Sequence, residues 1–296
     1  MTGNWNAGAA TDTGLLRERN EDRYWSDAEQ GIFVVADGVG GHLFGEVAAQ
    51  TAVESIRDSL ADRGAPAEAR VRNAITQANN RIFEQAQENE DLTGMACVLT
   101  LALVEDGQIT IGHVGDSRLY LVWNGAIRKL TSDHSPVGEC EDSGELTEEE
   151  AMLHPRRNEV FRDVGSRRRQ PNDAGFIEIR TCRFRPDAAI LLCSDGLTDH
   201  LTAAQVRDII ERYDGDAARV AHELVEAANQ QGGKDNITAL FVAGPEFRAR
   251  NGTTRPHIST TRIRRRQRIF TGRMAFLTYG VFIGMLLWVV LRVTKG

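Results

Sequence analysis

The chain has 296 residues, an ordinary globular composition and a formal charge of −7, which excludes a disordered or collagen-like polymer and leaves room for a sizeable core. The charge is unevenly placed: residues 247–296 hold eleven Lys and Arg and no acid, against 24 basic and 42 acidic side chains in residues 1–246, a balance of −18. So acidic a body does not suit nucleic acid; it suits a protein that gathers divalent cations. Cys97, Cys140, Cys182 and Cys193 form no C-x-x-C pair, so a reduced, cytosolic compartment is expected, with neither a disulfide framework nor a zinc site.

The N-terminus is polar and small, "MTGNWNAGAATDTG", without a signal-peptide pattern. Runs rich in Val, Ile, Leu and Thr predict strands over residues 31–36, 96–104, 108–113, 118–123, 176–184, 188–193 and 236–242. Asp-Gly in "VEDGQ" and Asn-Gly in "WNGA" predict hairpin turns. Helical periodicity places Val53, Ile56 and Leu60 on one face and Val71, Ile75, Ala78 and Ile82 on another. A further helix is expected over 216–229, and capping boxes at "TEEE" from Thr147 and "TAAQ" from Thr202. Strands joined by hairpins argue for antiparallel sheets. Residues 1–245 read as one domain, with a polar flap at about 135–175 that carries one short helix, then a basic linker over 246–272. The 18 uncharged residues from Met274 to Leu291, "MAFLTYGVFIGMLLWVVL", follow the arginine-rich "RIRRRQRIFTGR". They predict a single membrane helix at 273–293, with the basic side and the body in the cytoplasm.

Four aspartates stand where apolar runs begin or end. Asp37 closes "IFVVAD", Asp116 follows "ITIGHVG", Asp195 closes "AILLCSD" and Asp235 precedes "NITALFV". One such residue is usually a turn; four converging from rigid strand ends repel one another unless a cation sits between them. Hard oxygen donors without histidine suit Mg²⁺ or Mn²⁺. A pair of such ions activates a water for in-line attack on a phosphoester. Arg17 in "RERNED" is the candidate fork for phosphate oxygens, and Glu21 and Asp22 add to the acidic shell. The glycines of "ADGVGGH" let the backbone pass close to such a site.

Together, "RERNED", "ADGVGGH", "GHVGDSRLY", "LTSDHS", "LCSDGLTD" and "GGKDNITALFV" resemble, in order and spacing, the metal-dependent type 2C Ser/Thr protein phosphatases, bacterial branch, over about residues 10–243. The resemblance implies an α+β fold, a four-layer α-β-β-α sandwich of two antiparallel sheets flanked by helices. It implies two core Mn²⁺ or Mg²⁺ ions and a third, weaker one. In its terms Asp37 bridges the core ions and Gly38 lends its carbonyl to the first. Asp195 and Asp235 serve the second, Asp116 with Asp195 the third, and Glu21 and Asp22 hold metal waters. Arg17 binds phosphate and Asn236 orients Asp235. The expected partners are phosphorylated protein substrates, among them a Ser/Thr kinase and its targets.

The sequence departs from that pattern in places. Val39 stands where many eukaryotic relatives place a histidine proposed as general acid; His42 is one candidate for that role here, and a metal-bound water is the other. Ala96 and Cys97 replace two threonines, which predicts a packing change without loss of chemistry. His134 is read as structural, and Arg167–Arg169 either as a reader of acidic phosphosubstrates or as a solvated loop. The rival to an enzyme is an inactive, membrane-anchored phosphoprotein-binding regulator. The presence of all four aspartates argues against it.

Overall fold

The computed structural model describes residues 5–39, 44–61 and 64–249. Two five-stranded sheets face each other. One has the order β1 (Asn6–Asp12), β10 (Ile237–Ala243), β9 (Ala188–Cys193), β6 (Arg118–Trp123), β7 (Ala126–Lys129). The other runs β2 (Arg23–Asp27), β3 (Ile32–Val39), β4 (Ala96–Glu105), β5 (Gln108–Val114), β8 (Glu178–Arg183). Every pairing is antiparallel. Helices α1 (Gly45–Ser59) and α2 (Ala67–Glu88) cover the second sheet; α6 (Ala203–Ile210) and α7 (Ala217–Gln230) cover the first. This is the expected α-β-β-α sandwich.

The layers follow from alternation along the strands. On β4, Leu99, Leu101 and Leu103 face α1 and α2, while Ala102 and Val104 join Phe33, Val35, Ile190, Leu192 and Leu240 between the sheets. A strand buried on both faces reads as a continuous apolar run, which is why β4 and β9 are legible in the sequence. Both hairpin turns take the left-handed backbone at two residues, Asp106 with Gly107 and Asn124 with Gly125, as the type I′ turn requires. Both capping boxes form, Thr147 with Glu150 and Thr202 with Gln205, and Asp216 caps α7 by accepting from the Arg219 N–H.

Three strands escape the sequence reading. β1 is built of small residues, β2 is half-exposed and charged, and β7 is a four-residue edge strand. None offers the apolar alternation that marks a strand. The flap holds two short helices, α3 (Pro136–Ser143) and α4 (Glu148–Met152), where one was expected. The capping box at Thr147 belongs to α4; the unexpected helix is α3, a polar segment capped by Ser135.

Packing also continues past residue 245. Gly244 N–H donates to Ala188 O and Glu246 N–H to Pro186 O. Phe247 is buried against Tyr213 and Phe241, with ring centroids 5.4 and 6.1 Å away. Among the described residues no helix is long and apolar enough to cross a membrane; the expected membrane helix at 273–293, and the linker from 250 onward, lie outside them. Removing the Phe247 ring leaves a cavity under α7. Phe247→Ala is therefore expected to cost about 3–5 kcal/mol in urea unfolding, and a chain ended at 245 to be less stable than one ended at 249 by a similar amount.

Candidate metal centre

The acidic residues meet at one end of the sandwich because the strands that carry them end there. Asp37 and Gly38 lie near the end of β3, opposite Val98 and Cys97 of β4. Asp116 sits in the β5–β6 connection. Asp195 opens α5 (Asp195–Thr198) directly after β9, and Asp235 stands just before β10. A side chain at Gly38 would strike the backbone of Gly45, so the start of α1 passes against Gly38 only because both are glycine. Arg17, Glu21, Asp37, Gly38, Asp116, Asp195 and Asp235 line one cleft of about 440 Å³, joined by Asn158 and Val160 of the flap. Asp22 lies behind it, fully buried, its Oδ2 accepting from Ser194 Oγ at 2.7 Å. His42 lies outside the described residues.

The electrostatics of this end are lopsided. Burial, then Asp22, Asp195 and Asp116, push the Asp37 carboxyl well above the usual carboxylate range. Burial, then Asp116 and Asp199, do the same to Asp195. Burial and the nearby Asp133 raise Asp116 to about 7. Asp22 rises to about 6, burial outweighing its hydrogen bonds, and burial raises Glu21. Asp22 Oδ1 is buried without a hydrogen-bond partner. Carboxylates packed so closely, all hard oxygen donors with one left orphaned, fit divalent cations such as Mn²⁺ or Mg²⁺.

Two predicted roles take a different physical form. Arg17 Nη2 donates to Asp235 Oδ2 at 2.7 Å, so the phosphate-binding candidate rests on a metal-binding candidate. Asn236 does orient Asp235, but through its backbone: its N–H donates to Asp235 Oδ1 at 2.8 Å. Its side chain serves the loop opposite, donating to Thr13 O at 2.9 Å and Arg19 O at 2.8 Å and accepting from the Glu21 N–H at 2.8 Å. One asparagine thus holds the segment that presents Arg17 and Glu21.

The sequence reading missed a second acidic position in the same motif. Asp199, the last residue of "LCSDGLTD", donates its N–H to Asp195 O at 2.7 Å and pairs through Oδ2 with Arg157 Nε of the flap at 2.6 Å. Burial raises its carboxyl. The signal was present, one helical turn beyond Asp195.

His134 and Arg167–Arg169 turn out to tie the flap down. His134 N–H donates to Gly115 O at 2.7 Å, Gly115 N–H donates to His134 Nδ1 at 3.0 Å, and Phe161 N–H donates to His134 O at 2.9 Å. His113, His134 and Glu178 bring potential ligand atoms within 4.8 Å of one another. Yet Arg162 Nη1 stands 3.0 Å from His134 Nε2, and His113 contacts Thr100 Oγ1 and Ser132 O; this is a polar clamp with a resident cation. Arg168 pairs with Glu84, Arg169 covers the Phe176 ring, and the Arg167 and Arg169 carbonyls accept from Asn79 and Asn80. The stretch fastens the flap to α2. Cys97 exchanges backbone hydrogen bonds with Val164 of the flap, 3.0 and 2.8 Å; burial first and then Asp37 hold its thiol protonated, so it fills space and supplies no ligand.

The matches to known proteins agree with this geometry. The family model described as "Protein phosphatase 2C" matches residues 17–240. The serine/threonine phosphatase stp of Listeria welshimeri is 37% identical over 242 residues, 78% of this chain and 93% of that one. The protein phosphatase PhpP of Streptococcus pneumoniae is 33% identical over 239 residues, 79% of this chain and 95% of that one. The crystal structure of the Mycobacterium tuberculosis phosphatase PstP/Ppp superposes with a TM-score of 0.73 at 31% identity, covering 81% of this chain and 98% of that one. A structure of the PstP catalytic domain in complex with two manganese ions gives a TM-score of 0.71 at 30% identity, covering 81% and 97%. An α-β-β-α sandwich with a carboxylate-rich cleft at one end defines a metal-dependent phosphatase fold. The chain belongs to the protein phosphatase 2C family.

Two expectations follow from these contacts. Asn236→Ala leaves the Thr13 and Arg19 carbonyls and the Glu21 N–H without their partner, at about 1–3 kcal/mol for each group left unsatisfied. In steady-state kinetics it should raise KM for a phosphopeptide through the loosened Arg17 segment. His113 is held neutral, burial pushing it down to about 4 from an ordinary 6.5. Between those two values the unfolded chain binds the extra proton and the fold does not. Wild type should therefore lose stability relative to His113→Asn as pH falls through that window, at up to about 1.4 kcal/mol per pH unit. Urea titrations at pH 7 and pH 5 measure the difference.

Proposed function

We propose that this chain hydrolyses phosphoserine and phosphothreonine in proteins, with Mn²⁺ or Mg²⁺ as cofactor, through the roles that follow. The observation that carries the reading is the convergence of Asp37, Asp116, Asp195 and Asp235 with Arg17 in one cleft. Asp37, from its rigid strand end, feels the charges of Asp22, Asp195, Asp116 and Asp235 and would bridge two ions; Gly38 would offer its carbonyl to the first, and Asp195 and Asp235 would hold the second. Asp116 with Asp195 would hold a third, weaker ion, and Glu21 and Asp22 would fix bound waters. Ions held there would supply an activated water for in-line attack on phosphorus. Arg17, its side chain half-exposed, reaches the phosphoryl oxygens by exchanging Asp235 for them, and orients the substrate as a two-pronged donor. His42 is proposed as the proton donor to the leaving hydroxyl.

The same reading places the catalytic domain on the cytoplasmic face of the plasma membrane. The support is the uncharged run Met274–Leu291 behind a basic stretch. Tethering raises the local concentration of anything else at that membrane, which favours a membrane Ser/Thr kinase and its targets as substrates.

Phosphate release from a phosphothreonine peptide tests the chemistry. It should require Mn²⁺ or Mg²⁺, stop with EDTA and fall to background in Asp37→Ala, while Arg17→Ala should mainly raise KM. No release in any metal by a folded chain would leave an inactive phosphoprotein-binding regulator. Fractionation tests the tether: the full-length chain should sediment with membranes and resist alkaline carbonate, and residues 1–249 should not.

A further inference from the structure

Two of the acidic segments are joined by a residue that neither the motif nor the chemistry above uses. His200 follows α5 and is buried, at 5% exposure. Its Nδ1 lies 3.0 Å from the carbonyl oxygen of Gly196, the residue after Asp195. Its Nε2 lies 3.4 Å from the backbone nitrogen of Lys234, the residue before Asp235. Both partners are backbone groups whose roles are fixed. A carbonyl can only accept and an N–H can only donate, so the ring carries its single proton on Nδ1 and presents a lone pair at Nε2. The imidazole therefore spans from the Asp195 turn to the Asp235 turn as a strut of fixed length and polarity.

The Asp235 turn is tied to the N-terminal segment by the Leu15 N–H, which donates to Gly233 O at 2.6 Å, and by the Asn236 side chain; His200 is the side chain that ties Lys234 to the Asp195 turn. Gly232 and Gly233 precede Asp235 with φ of +135° and +48°, a backbone that most side chains resist. The stretch between α7 and Asp235 has no apolar anchor of its own: Lys234 is exposed. A side chain at Gly232 would come to rest 3.4 Å from His200 Nε2, so the ring also fills the space beneath the turn.

We infer that His200 is a positioning residue for the metal centre, setting the distance between the Asp195 and Asp235 carboxylates through Gly196 and Lys234. The inference rests on the metal-centre reading proposed above. Removing the acceptor at Nε2 releases the Lys234 N–H and lets the Asp235 turn move, while Asp37 and Gly38 stay fixed by β3. One of two core ions should lose affinity and the other should not. Partners that orient ligands from behind are worth about 10- to 100-fold in metal affinity; a strut acting through backbone belongs at the lower end.

The test is calorimetric titration of Mn²⁺ into the full-length chain and three variants, with thermal unfolding alongside. H200A and H200N should each weaken one ion by about 10-fold. Asparagine keeps a donor towards Gly196 but does not reach Lys234. H200Q, whose Oε1 can accept from the Lys234 N–H, should recover most of that loss. Wild-type affinity for both ions in H200N, with only a lower unfolding temperature, would reduce His200 to core packing and overturn the inference. Equal loss in H200N and H200Q would also overturn it, since the Lys234 acceptor would then not matter. A wild-type chain that binds no Mn²⁺ would be a different failure, that of the metal-centre reading itself.

Discussion

The structure is organised around a repulsion. Asp22, Asp37, Asp116, Asp195 and Asp235 are carried to one end of the sandwich by strands that cannot be moved without unpacking a core. Burial and mutual charge push Asp37 and Asp195 well above the ordinary carboxylate range. Such a cluster opposes folding on its own. Its presence makes sense where a divalent cation converts the repulsion into attraction, and the fold spends its most rigid parts on keeping the donors in place. Asp37 is held opposite Val98 of β4, one residue beyond the last pairing of β3 with β2 at Ala36; Asp195 starts a helix off the central strand β9; Asp235 accepts from the Asn236 N–H.

Around that centre the supporting contacts are mostly between side chain and backbone, and they span great distances in sequence. Asn236 holds the 13–21 segment, Ser194 holds Asp22, and His134 holds Gly115 beside Asp116. The fastenings of the flap include Val164 to Cys97, Phe161 and Arg162 to His134, Arg157 to Asp199, and the 165–169 stretch to Asn79 and Asn80. Arg157 and Asp199 connect the flap to the helix that begins with Asp195, so a movement of the flap would be felt at the acidic end. The exposed apolar residues Leu153 and Phe161 also lie on it.

The antiparallel strands were legible because most are buried on both faces or end in Asp-Gly or Asn-Gly turns, and those signals are local; their division into two facing sheets was implied only by the resemblance to the type 2C phosphatases. β6 and β9 were read to the residue. β1, β2 and β7 were not, since their partners rather than their own side chains make them strands. The acidic positions were legible for the same reason: an aspartate that ends an apolar run is a local pattern. What Arg17 touches is not local. Nothing in "RERNED" says that its guanidinium pairs with a carboxylate 218 positions away, and nothing near Asn236 says that its side chain faces Thr13. The boundary at 245 missed Phe247 because a lone aromatic beyond a strand looks like linker until its ring partners, Tyr213 and Phe241, are in view.

In the reading proposed above, Asp37 would bridge two bound ions. Crystals grown with Mn²⁺ and measured at the manganese absorption edge would locate them by anomalous scattering. Two core peaks are expected on either side of the Asp37 carboxylate, one of them within reach of Asp195 and Asp235. Peaks placed elsewhere, such as beside His113, His134 and Glu178, or a single ion that Asp37 does not touch, would contradict that reading.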